Sequence, residues 1–126
     1  MSSIERGTSE ARRLLGEVRK GGRMADVFPF LSHVRNALRE AESAMVEAGR
    51  LITETGRLDD EMFSKVYAAG ALVGSISAMC EDHRHDPSNH VRLACAAAIV
   101  LIEKIELHPT DRAVVETMQA RLGRMS

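Results

Sequence analysis

Residues 24–56 read MADVFPFLSHVRNALREAESAMVEAGRLITETG, and this stretch decides the fold class. Leu31, Val34, Leu38, Ala41, Met45, Ala48 and Ile52 recur at alternating steps of three and four. On a helix such steps fall on one stripe, so these residues predict three heptads of packing seam. Arg39, Glu40, Glu47, Arg50 and Glu54 fall on the other side and predict a wet face. Asp26 is the expected cap, Pro29 fits the first turn, and Gly56 supplies a stop. The element should be a helix about 40 Å long.

Outward from it the same period continues. After GRLDD, Asp59 should cap a third helix whose seam reads Met62, Val66, Ala69, Val73, Ile76 and Cys80. The short connection predicts an antiparallel hairpin. On that helix Gly70, Gly74 and Ala78 stand at four-residue spacing. Glycine inside a helix is unfavourable, so close approach of a neighbouring helix is the expected offset, supplied by the fourth helix or by a second subunit. A fourth helix is expected from Pro87 or Ser88 to Leu107, with Asp86 as cap. Between Leu93 and Ile102 it is apolar all round, which predicts burial on most sides and hints at a dimer interface nearby. His108-Pro109 should stop it, and Thr110 should cap a short last helix, Asp111 to Leu122, closed by Gly123. On the N-terminal side, Ser9 to Lys20 predicts a marginal helix with a narrow stripe of Leu14, Leu15 and Val18, ended by Gly21-Gly22.

Composition agrees with this pattern. Aromatics are 3% of the 126 residues, with no Trp, while aliphatic residues carry a 44% hydrophobic share. Such cores suit helix packing better than sheets. The expected architecture is therefore all-α: an antiparallel bundle of four main helices plus a short C-terminal one, dimeric. Residues 1–23 form a basic arm with a local balance of +3, and residues 24–126 form the bundle domain. Residues 24–61 carry −4, so the arm has an acidic neighbour on which to dock. The whole chain carries −1, which gives no general pull towards nucleic acid or an anionic membrane. No apolar leader precedes the first helix, and the longest strongly apolar run, Leu93 to Ile102, is too short to span a bilayer. Two cysteines without an export signal point to reduced thiols in a cytoplasm.

Three chemistries deserve weighing. The stretch CEDHRHDPSNH gathers Cys80, His83, His85 and His90, all zinc or nickel ligand types. Cys80 and His83 would share a helix face, but His83 and His85 point apart unless the helix unwinds, and Cys80 completes an apolar seam. His108 stands too far along the fourth helix to help. Second, Arg12, Arg13 and Arg19 of the arm suit phosphate contact, yet no helix-turn-helix follows them. Third, His33 lacks the surroundings of a phosphotransfer histidine, and no nucleophile elbow or phosphate loop occurs. The expected function is accordingly non-enzymatic: a small bacterial-type regulatory or adaptor protein, homodimeric and cytoplasmic, without cofactor, binding a protein partner through helical surfaces. Gly70, Gly74 and Ala78 are its expected contact stripe. Met24, Met45, Met62, Met79 and Met118 are read mainly as core filler that can also supply adaptable surface. A metal-binding helical protein is the alternative, and a nucleic-acid-associated regulator the second.

Overall fold

Two glycines with left-handed backbone, Gly22 (φ 60°) and Gly56 (φ 75°), end the first two helices of the chain. The computed structural model describes residues 2–104 and 109–125, and among them every element is helical. The elements are α1 (Ser3–Gly21), α2 (Met24–Thr55), α3 (Asp60–Asp82), α4 (Asn89–Glu103) and α5 (Pro109–Met125).

Helix starts depart from expectation for local reasons. Helix α1 begins at Ser3 instead of Ser9, because Ser2 accepts a hydrogen bond from the Glu5 N–H at 3.1 Å. Ser2 and Glu5 have the spacing of a capping box, a signal the apolar stripe alone overlooks. Helix α2 begins at Met24, directly after the Gly22 turn, so Asp26 lies in its first turn instead of capping it. Pro29 then falls inside the helix, beyond the first turn. It has no N–H to offer the Ala25 carbonyl one turn back. Asp59 caps α3 as expected, accepting from the Met62 N–H at 2.7 Å. Helix α4 is capped by Ser88, which accepts from the Val91 N–H at 3.3 Å; Asp86, the expected cap, is engaged elsewhere. Helix α5 includes Pro109 and Thr110 and runs past Gly123, so Thr110 is not its cap and Gly123 does not close it. The expected continuation of α4 to Leu107 and the stop at His108 lie outside the described residues.

Helix α2 is touched by all four other helices. Its buried residues are therefore Val27, Phe30, Val34, Ala37, Leu38, Ala44, Ala48 and Gly49, a broader band than a two-helix seam. Leu31, Ala41, Met45 and Ile52, expected in that seam, are only half-buried. Two core clusters result. The larger joins Leu14, Leu15 and Val18 of α1 to Phe30 and Val34 of α2, Ile76 and Cys80 of α3, and Val91 and Cys95 of α4. The smaller joins Ala44 and Ala48 of α2, Leu58 of the α2–α3 connection, Phe63 and Val66 of α3, and Val114 and Met118 of α5. Helix α1 thus supplies a wall of the main core and is more than a marginal element. Helix α4, expected to be buried all round, buries Val91, Ala94, Cys95 and Ala98 and leaves Leu93 and Val100 about half exposed.

Candidate functional site

The polar stretch from Cys80 to His90 resolves into parts with different duties. Cys80 is fully buried in the last turns of α3 and interacts directly with Cys95 of α4. Contact with the Cys95 sulfur, and then burial, push the Cys80 thiol well above the ordinary range. His83 is the C-cap of α3, its backbone N–H donating to the carbonyls of Met79 and Cys80 at 3.2 Å. His85 is exposed in the turn that follows, and His90 is half-buried in the first turn of α4. Asp86 organises that turn. Its carboxylate accepts the Ser88 N–H at 2.9 Å and forms an ion pair with Arg19 of α1. These two donors, in that order, hold the Asp86 carboxyl below its ordinary value despite its burial. Arg92 donates to the Asp86 carbonyl and to the Asn89 side chain. Among the described residues no three His, Cys, Asp or Glu side chains come together in a way that would hold a metal ion. Cys80, His83, His85 and His90 are therefore not gathered at one point.

The arginines of the N-terminal segment are also distributed. Arg13 pairs with Glu10 at 2.5 Å on its own helix, Arg23 pairs with Asp26, and Arg19 reaches the Asp86 turn. Arg12 lines a shallow depression between α1 and α3, opposite Asp82 and His83. Two of these cations thus pair with acids outside α1, on the element that follows it and on the α3–α4 turn. His33 holds α1 and α2 together through a 2.9 Å hydrogen bond between its Nε2 and the Gly7 carbonyl, which requires the proton on Nε2.

The outer face of α3 has another character. Gly70, Gly74 and Ala78 are exposed, and a Cβ built on either glycine would meet no other atom within 4 Å. The expected close approach of α4 over this stripe does not occur; glycines pressed against neighbours lie elsewhere, Gly7 of α1 under Leu72 and Gly21 beside Asp26. Beside the stripe an apolar groove of about 510 Å³ runs between α2, α3 and α5. Its walls include Met45, Val66, Tyr67, Gly70, Val115 and Met118. Helix α5 packs chiefly on α2, which leaves this side of α3 open. Tyr67, half exposed, stacks on Phe63 with ring centroids 6.2 Å apart. The Arg121 guanidinium of α5 lies 4.2 Å over the Phe63 ring, donates to the Leu58 carbonyl and pairs with Asp60. One rim of the groove is thereby fixed. The sequence held a signal for it, since Phe63 and Tyr67 are one helical turn apart.

Helix α3 is long and apolar enough, by length and composition, to cross a membrane, and only 22% of that apolar window is buried in the fold. Yet Met62, Phe63, Val66, Ile76, Met79 and Cys80 on its inner side are core residues, so it cannot leave without dismantling both clusters. What the fold leaves over is apolar surface on a helix fixed in place. No protein-family model, curated protein or solved structure matches this chain.

Proposed function

We propose that this chain is a non-enzymatic protein–protein interaction domain, a small regulatory or adaptor protein whose contact surface is the outer face of α3. In this reading the helices form an antiparallel bundle and the first occupant of the surface is a second copy. One observation carries it: Gly70 and Gly74 lie bare on an apolar helix, with open space where a side chain would stand. Mid-helix glycines cost roughly 1 kcal/mol each relative to Ala, and no contact among the described residues offsets that cost here. A helix laid across the stripe would offset it, because small residues let two backbones approach closely and repeat favourably about a two-fold axis. Tyr67 and the groove beside it add apolar contact area next to the crossing.

Sedimentation velocity on the wild type and on Gly74→Leu tests this. The wild type should sediment at twice the chain mass of 13.8 kDa, and the variant as a monomer with an undiminished melting temperature. A wild type that stays monomeric at several hundred micromolar, or a Gly74→Leu dimer as tight as the wild type, would falsify the proposed surface.

A further inference from the structure

The chain has two cysteines, and the fold brings them together. Cys80 belongs to the end of α3 and Cys95 to the middle of α4; both are free thiols, and their side chains are 0% and 1% exposed. They interact directly within one core cluster, and both line a cavity of about 260 Å³ that also touches Glu81, Arg84, Arg92, Ile99 and Glu103. Neither thiol belongs to the α3 contact stripe.

We propose that Cys80 and Cys95 are a redox modification site: a small hydroperoxide converts the pair into a reversible intrachain disulfide that ties α3 to α4. The cavity decides which oxidants qualify. Bulky thiol reagents are shut out by burial, whereas hydrogen peroxide is about the size of the water molecules such a cavity holds. The two cysteines are not equivalent. Contact between the two sulfurs holds the Cys95 thiol below its ordinary range and pushes the Cys80 thiol up. Cys95 therefore attacks first. Its sulfur displaces water from hydrogen peroxide: the S–O bond forms, the O–O bond breaks, and the peroxide is reduced as Cys95 becomes a sulfenic acid. Cys80 sulfur then attacks Cys95 sulfur. The S–S bond forms, the S–O bond breaks, and the departing hydroxide takes the Cys80 proton as a second water. Two thiols and one peroxide thus give one disulfide and two waters. The link would close a loop containing the Asp86 turn and stiffen the α3–α4 end of the larger cluster.

The test treats reduced full-length protein with a modest excess of hydrogen peroxide, quenches it, and measures intact mass together with maleimide labelling in denaturant. The expected product is a monomer lighter by two hydrogens, with neither thiol labelled, restored by dithiothreitol. Its melting temperature should rise by roughly 5–10 °C. In Cys80→Ser the sulfenic acid on Cys95 should persist and be trapped by a 1,3-diketone added together with denaturant. Because the mass is read on the wild type, the outcome does not depend on the variant folding. Two labelled thiols after oxidation, or a covalent dimer as the main product, would overturn the proposal.

Discussion

Gly7 and Gly16 lie on the same helix in opposite surroundings. A Cβ at Gly16 meets nothing, whereas one at Gly7 collides with the Leu72 side chain. Gly16→Ala should therefore raise unfolding stability by about 0.5–1 kcal/mol, seen as a higher urea midpoint. Gly7→Ala should gain less than this or lose stability, because Leu72 must yield; equal gains would contradict the packing of α1 on α3. Asp86 gives a pH test. Its folded carboxyl titrates below the ordinary 3.8, so its contribution is complete above that value and is lost as the pH falls towards the folded one. Asp86→Asn loses the charge for Arg19 at every pH. The wild type should melt a few degrees above it at pH 6, and the gap should narrow as the pH falls below the ordinary 3.8. A gap independent of pH would mean that the carboxylate charge is immaterial there. Neither residue's role was legible in the sequence, since Leu72 and Arg19 are distant along the chain and only folding brings them near.

At the scale of elements, the helix types were legible and their ends less so. Periodicity names a helix without weighing its caps, and the caps of α1 and α4 are single hydrogen bonds accepted by the Ser2 and Ser88 hydroxyls. Asp59→Ala removes the corresponding bond from α3 and should cost about 1 kcal/mol by chemical denaturation. For α4, hydropathy alone cannot tell inward from outward residues when nearly every position is apolar. Val91, fully buried, should cost about 1–3 kcal/mol on replacement by Ala, whereas Leu93→Gln should stay within about 0.5 kcal/mol. Comparable costs at both sites would place α4 in a different rotation. The seam of α2 shows the same limit: Val34 and Ala48 lie where the heptads put them, while Phe30 and Ala37 enter the core because helices press on α2 from more than one side.

Across the whole molecule, the division into two clusters implies unequal local stability. Helix α5 relies on the smaller cluster and rests chiefly on α2, whereas α1 packs against α2, α3 and α4. Amide exchange should accordingly protect Val18 and Phe30 longer than Val114, although all three are buried. Simultaneous exchange of the three would show that the clusters open as one unit. The sequence by itself determined the helical class, the place of Gly22 and Gly56 as helix ends, and most of the α3 seam, because these depend on neighbours within a turn or two. Only the tertiary structure decided which apolar faces were covered. It pressed α1 into the core, left the glycine stripe of α3 bare, turned Leu93 outward and set Cys80 against Cys95. Those outcomes depend on how distant segments share a limited interior, and a stripe of apolar residues carries no label for the surface that will meet it.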